Sequence, residues 1–327
     1  MAGFRRAKAQ QAALKMGLYG LSGSGKTFTS LLLAEGLTRA TKGRIAYVDT
    51  ERGTDFYCKA VPERKAHPEP FEFDALYSRS LTEITTAVRG LDPKEHSVVV
   101  IDSVTHLWEA AQEAYSGIRT KAGTIPMHAW GKIKKPYKTL VTHLLNSPMH
   151  VLICGRQGTQ FEEDEQSGEI KAVGAKMKAE GETPYEPHIL LHMHCVRSKN
   201  GNGVITAFAE KDRTGVLAQR TINWPCFDNV VRPLLPYLGG KQARMDTLED
   251  AAQRDSEKLD SNEQRRIKSS ATLLRKYLAR LDLVSTAAGF KEISDELTPT
   301  VKKRFTPGDL KTLRDKWHEI STRFPKK

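Results

Sequence analysis

The octapeptide Gly20-Leu21-Ser22-Gly23-Ser24-Gly25-Lys26-Thr27 constrains this chain more than any other feature. It has the form G-x-x-x-x-G-K-[ST], follows a short apolar run, Leu14 to Tyr19, and precedes a helical stretch, Phe28 to Thr38. A strand, a glycine loop and a helix in that order predict a phosphate cradle. Only glycines let successive backbone N–H groups close around phosphate oxygens at a helix N-terminus. The expected ligand is ATP with Mg2+. Gly20, Ser22, Gly23, Ser24, Gly25 and Phe28 would surround the phosphates, Lys26 would reach the β- and γ-phosphates, and Thr27 would ligate the metal.

From Met16 to about Leu238, β-rich apolar runs alternate with helical stretches, which predicts an α/β domain on a mostly parallel sheet. Four strands stand out: Leu14 to Tyr19 before the glycine loop, Arg44 to Val48 before Asp49, Ser97 to Ile101 before Asp102, and His150 to Cys154 near Arg156. Chemistry in such sheets gathers at the carboxyl ends of strands, so these endpoints should share one crevice. Asp102 ends the apolar run Val98-Val99-Val100-Ile101 and is placed to hold Mg2+ through water, with helix capping as the alternative. Glu51, in Tyr47-Val48-Asp49-Thr50-Glu51-Arg52, is placed to orient and deprotonate an attacking water, a solvated loop glutamate being the alternative.

Trp130, Ile133, Tyr137, Leu140, Val141, Leu144 and Leu145 recur at helical spacing and predict an amphipathic helix, with Pro136 in its first turn or at a kink. Ile189 to Val196 and Val204 to Ala209 predict a hairpin turned at Lys199-Asn200-Gly201-Asn202-Gly203. His192 and His194 lie on one strand face, but nothing with ligand spacing sits nearby, so a zinc site is not expected.

After Gly239-Gly240 the chain becomes highly charged and helical, with one apolar stripe at Ile267, Leu274, Tyr277, Leu278 and Leu281 and another at Leu310, Leu313, Trp317 and Ile320. The predicted organisation is an ATPase domain over 1–240 and a charged helical region over 241–327. Net charge is +12, and 241–327, with 20 Lys+Arg against 14 Asp+Glu, carry half of it. Such a charge fits an anionic partner, nucleic acid foremost, and equally a merely solvated basic surface, and composition alone does not separate the two. The four cysteines, Cys58, Cys154, Cys195 and Cys226, form no CxxC pair and predict a reducing compartment. No apolar run has the length of a membrane span and the first residues lack a signal peptide's apolar stretch, so a cytoplasmic location is expected.

The glycine loop, an acid placed as Glu51 is, the string Ile101-Asp102-Ser103-Val104-Thr105 and the polar strand end Arg156-Gln157 resemble the RecA-like P-loop ATPase core. Together with Trp130-Gly131-Lys132-Ile133-Lys134, Tyr185-Glu186-Pro187 and Lys211-Asp212-Arg213, the chain is similar to the RecA-like ATPases of bacteriophages, including those associated with single-strand annealing and recombination. The resemblance covers about residues 4–235. It implies a catalytic base at Glu51 and a γ-phosphate sensor at Gln157, with Arg156 beside it. It also implies a Lys-x-Arg pair, Lys211 and Arg213, inserted into the neighbouring subunit's ATP site, and a cytoplasmic location in a bacterial host.

Two loops are candidates for nucleic acid. Residues 116–135 offer Arg119, Lys121, Lys132, Lys134 and Lys135, with Trp130 to stack on a base. Residues 158–184 carry Lys171, Lys176 and Lys178, but the acidic run Glu162-Glu163-Asp164-Glu165 opposes a simple phosphate-binding surface. The reading reached is a homo-oligomeric, DNA-stimulated ATPase on single-stranded DNA, with a single-strand-binding or other recombination protein as a further partner. A replicative helicase or helicase loader, or an ATP-dependent switch binding a protein through 241–327, are the rivals.

Overall fold

The structure, a computed structural model, describes residues 13–64, 66–114, 125–164, 168–197, 202–238 and 248–323. It divides into two units, Met1–Met245 and Asp246–Lys327.

In the first unit the apolar runs become the strands β1 (Lys15–Gly20), β2 (Arg44–Asp49), β3 (Asp74–Tyr77), β4 (His96–Asp102), β5 (His150–Glu163), β6 (Ile170–Met177), β7 (Ile189–Arg197), β8 (Gly203–Asp212) and β9 (Thr221–Asn223). Their order across the sheet is β3-β2-β4-β5-β1-β7-β8-β9, with β6 paired to β5 alone. The strands from β3 to β7 run parallel, and β8 and β9 are added antiparallel. All six residues of β1 are buried, as befits the middle of a parallel sheet covered on both faces.

The pleat sends alternate side chains to opposite layers. Met16 and Leu18 pack with Leu31, Leu33, Ala34 and Leu37 of helix α1 (Lys26–Thr41), while Tyr19, Val99 and Ile101 pack with Tyr137, Leu140 and Leu144 of helix α4 (Trp130–Asn146). Helices α2 (Leu81–Arg89) and α3 (Val104–Glu113) complete that second layer. This is a RecA-like α/β fold.

Lys15 is the exception in the buried strand. Its ammonium donates to the carbonyls of Leu144, Ser147 and Met149 at 2.9, 2.8 and 2.7 Å, tying β1 to the end of α4 and the segment that follows it. Burial draws its pKa down to about 7.

Three local expectations change. Pro136 lies in the second turn of α4, not the first, where the helix tolerates the loss of one N–H donor. β5 does not stop near Arg156; it runs to Glu163 and folds back as an antiparallel hairpin with β6. The expected loop 158–184 is therefore largely β-structure, and Lys171 is neutralised by Asp164 at 2.7 Å. The β7–β8 hairpin forms, but its turn residues 198–201 lie outside the described residues.

The second unit holds α5 (Leu248–Leu283), α6 (Ala287–Glu296), α7 (Pro299–Lys302) and α8 (Pro307–Ser321). Thr286, Thr298 and Thr306 cap the last three of these, each accepting the N–H three residues on. Tyr277, Leu281, Ile293, Leu297, Phe305, Leu313 and Ile320 form its own core. Ile267, placed in the stripe by its spacing, is 49% exposed and lies outside that core.

Candidate functional site

The glycine loop leaves β1 at Gly20, where a Cβ would meet the carbonyl oxygen of Met193 at 2.3 Å, so β1 and β7 sit closer there than any side chain permits. Gly23 and Gly25 adopt φ of +76° and +85°, the left-handed region that glycine enters without strain. Gly25 is the N-cap of α1; no side chain caps the helix, and its first turn contains no acid. The free N–H groups and the positive end of the helix dipole therefore face the loop, the arrangement that receives an anion. The Lys26 ammonium donates to the carbonyls of Gly20 and Leu21 at 3.1 and 2.9 Å.

Thr27 Oγ1 donates to Asp102 Oδ2 at 2.6 Å, bringing a hydroxyl and a carboxylate together at the mouth of the cradle. Tyr47 donates to the same carboxylate oxygen at 3.0 Å. Burial pushes the Asp102 carboxyl above its ordinary range, and the Thr27 and Tyr47 bonds oppose that shift. Two hard oxygen donors suit Mg2+, which takes one or two protein ligands and completes its shell with phosphate and water. A closed protein cage is absent among the described residues, where no group of three His, Cys, Asp or Glu can hold a metal. Thr27 and Asp102 are thus the residues that would hold the ion, which supplies charge neutralisation on the phosphates.

Glu51 is presented by a turn that Asp49 organises. Asp49 Oδ1 accepts the N–H groups of Glu51 and Arg52 at 2.8 and 2.7 Å, and its Oδ2 accepts Thr54 Oγ1 at 2.6 Å. Thr50 locks this turn to the end of β4: its N–H donates to Asp102 O at 2.8 Å, and its hydroxyl accepts Ser103 N–H at 2.8 Å. Glu51 Oε1 accepts from Arg156 Nη2 at 3.0 Å and lies 3.6 Å from His106 Nδ1. The His106 pKa is lowered by burial and by the Arg156 charge.

Arg156 is held in turn by Thr105, whose hydroxyl accepts the Arg156 N–H at 2.9 Å and donates to Lys178 O at 2.6 Å. The four strand ends do share one crevice, of about 590 Å³, lined by Gly20 to Gly23, Gly25 to Phe28, Glu51, Tyr57, Asp102, Arg156 and Gln157. Ser24 does not line it; the side chain is buried against Gly20, and its N–H donates to Leu21 O at 3.2 Å.

The remaining residues fall elsewhere. Lys211 and Arg213 stand at the opposite end of the sheet, where Asp212 pairs with Ile189, while the P-loop end pairs Gly20 with Met193. Four strand residues separate those levels, about 13 Å at ~3.3 Å per residue. Both cations donate to the Tyr185 carbonyl, Arg213 at 3.3 Å. Lys132, Lys134 and Lys135 are not in a loop but on the first turns of α4, where the amphipathic pattern already extends. Lys134 is bound at 2.9 Å to Glu180, whose side chain is 2% exposed. Trp130 is not free to stack on a base: it is half-buried, and its ring stacks on Trp108 at 6.1 Å. Arg119 and Lys121 lie outside the described residues.

Sequence reasoning missed Tyr47, Thr50, His106 and Tyr57. Tyr47 was legible as an inward residue of β2, but nothing in the spacing reveals that its hydroxyl meets Asp102.

Among the described residues no helix is long and apolar enough to cross a membrane. No curated protein matches the chain. Among solved structures, a KaiC-like protein from the hyperthermophilic archaeon Pyrococcus horikoshii is similar over 67% of this chain and 94% of its own, at 14% identity and a TM-score of 0.41. That superposition is too loose to add to what the strand order shows. Residues 12–214, well over half of the chain, match the family model described as an AAA domain, and the chain belongs to that family, AAA_24.

Proposed function

We propose that the chain is a Mg-ATP hydrolase acting on single-stranded DNA in recombination, repair or replication of the bacteriophage type, with ATP bound at interfaces between copies of itself. The observation that carries the nucleotide part is the shared crevice. A P-loop with an uncapped helix start, the Thr27–Asp102 pair at 2.6 Å and the tethered carboxylate Glu51 meet there with Arg156 and Gln157. Lys26 bridges the β- and γ-phosphates, Glu51 accepts a proton from the attacking water, and Gln157 donates to the γ-phosphate. Lys211 and Arg213, far from their own P-loop, serve a neighbour's phosphates.

The DNA part is supported by the net charge of +12 and by the exposed Lys132 and Lys135 on α4. The test is phosphate release with and without single-stranded DNA at low salt. Stimulation by DNA is expected. A second reading, an ATP-dependent switch that binds a protein, is favoured by the separate core of the C-terminal helices, and unstimulated hydrolysis with no DNA binding would select it.

A further inference from the structure

Gln157 belongs to a chain of side chains drawn from four strands. Its Oε1 lies 2.9 Å from His192 Nε2 on β7. The other ring nitrogen, Nδ1, is 3.3 Å from Glu210 Oε1 on β8, and Tyr19 of β1 donates to that same oxygen at 2.5 Å. The His192 ring lies flat on the Tyr19 ring, centroids 4.4 Å apart and 7° between planes, and is only 12% exposed. Such an arrangement leaves the imidazole no freedom to turn.

Both ring nitrogens thus face acceptor oxygens. Burial and the neighbouring His194 lower the ring's pKa to about 4, so at neutral pH it carries one proton for two acceptors. Gln157 Oε1 is the closer acceptor, at 2.9 Å against 3.3 Å for Glu210 Oε1, and Glu210 already receives the Tyr19 hydroxyl, so the ring proton lies on the Gln157 side. A proton on Nε2 donates to Gln157 Oε1 and so occupies the amide oxygen, which leaves the NH2 group, without a partner among the described residues, as the end available to the crevice that Gln157 lines.

We propose that His192, held by Tyr19 and Glu210, is a positioning residue that keeps the Gln157 amide with its NH2 group toward the terminal phosphate. The idea rests on the ATPase reading above and adds His192, Tyr19 and Glu210, which that reading does not use. A mobile amide presents its oxygen to the phosphate as readily as its nitrogen, and an oxygen there repels; the ring removes that alternative. Of the residues that line the crevice, Gln157 is the one hydrogen-bonded to the ring among the described residues, so loss of the ring lowers turnover and leaves the affinity for ATP intact.

The test compares His192→Phe, which preserves the stack on Tyr19 but has no ring nitrogen, with Gln157→Ala and the double variant. Gln157→Ala is expected to lower kcat about 10²-fold, the effect of removing one donor to developing charge. His192→Phe is expected to lower it by roughly tenfold with KM for ATP unchanged, as for residues that orient a reacting group through one hydrogen bond. The double variant should match Gln157→Ala alone, because the ring acts through that amide. Multiplying losses in the double variant, or wild-type turnover in His192→Phe, overturns the proposal.

The 15N signals of the His192 ring in nucleotide-free protein separate the two ways of failing. They should report a proton on Nε2 and shift in Gln157→Ala. Signals that do not move refute the contact and leave the ATPase reading standing. Shifted signals in a protein that hydrolyses no ATP remove that reading and the kinetic role with it.

Discussion

Glu51→Gln separates two consequences that the structure sets at different sizes. The carboxylate accepts from Arg156 at 3.0 Å, but the pair is open to solvent, 40% and 49% exposed on the two sides. Exposed pairs of this kind contribute about 0–1 kcal/mol, and glutamine keeps an acceptor oxygen for the guanidinium, so the folded state should be almost unaffected. The chemical step is another matter. An amide takes no proton from water, and loss of a general base costs roughly 10²- to 10⁴-fold in rate. At ~1.36 kcal/mol per tenfold, that raises the barrier by about 2.7–5.4 kcal/mol. The catalytic effect therefore exceeds the structural one by more than twofold. Urea unfolding should give the wild-type midpoint, a fluorescent nucleotide should bind normally, and phosphate release at saturating ATP should fall by at least about 10²-fold. Equal release by variant and wild type would show that Glu51 is only a loop glutamate tied to Arg156.

Lys26→Ala should abolish nucleotide binding or turnover without unfolding the protein, since its ammonium bonds only the loop carbonyls of Gly20 and Leu21; normal turnover removes the site. Lys132→Ala with Lys135→Ala should flatten the slope of log affinity for single-stranded DNA against log salt by about 1.4, at ~0.7 per phosphate contact, and an unchanged slope moves the DNA site off α4. Lys134 is left in place because removing it strips the buried Glu180 of its partner. Lys15→Met should lower the free energy of urea unfolding by about 1–3 kcal/mol, because the carbonyls of Leu144, Ser147 and Met149 lose the ammonium as donor. With a folded pKa of about 7, well below the unfolded lysine, the unfolded chain binds more protons between pH 7 and the ordinary lysine range. Wild-type stability should therefore gain a rising component with pH across that window that Lys15→Met lacks, and parallel profiles would refute it. Arg213→Ala should bind ATP yet hydrolyse it poorly, and mixing it with Lys26→Ala should restore activity if the cation acts on a neighbour's phosphates; a mixture as inactive as its components, with mixed assembly shown by cross-linking, refutes the trans role.

The parts of the site legible in the sequence are those whose chemistry is written locally. The cradle needs glycines at fixed offsets, and the two left-handed glycines, Gly23 and Gly25, stand inside the motif itself. Asp102 is legible because an apolar strand ending in an acid has one place to go in a parallel sheet. The illegible parts depend on pairing between distant strands. Thr50 meets Ser103 only because β2 and β4 are neighbours, and Gln157 meets His192 across β1, two strands apart. The lysines of α4 were misplaced for a different reason: the helical spacing from Trp130 and the basic loop read over 116–135 overlap at 130–135, and burial of Ile133, Tyr137 and Leu140 makes the overlap helix. The hairpin of β5 and β6 carries few inward apolar residues, with Phe161, Ile170 and Val173 at least half exposed, so no burial pattern announces it.

The strand order explains why this constellation is possible at all. β5 lies between β1, which delivers the P-loop, and β4, which delivers Asp102, so its own carboxyl end emerges between the cradle and Asp102. A residue leaving that strand reaches both sides of the crevice. Arg156 turns toward Glu51 on the β2 side, and Gln157, the next residue and therefore on the opposite face of the pleat, turns toward β7. Two adjacent residues on one strand thus tie the β2 turn, where the water-activating carboxylate is proposed, to the β7–β8 hairpin that ends at Lys211 and Arg213. Any change at the crevice that shifts the end of β5 must move both connections together, because one strand carries them.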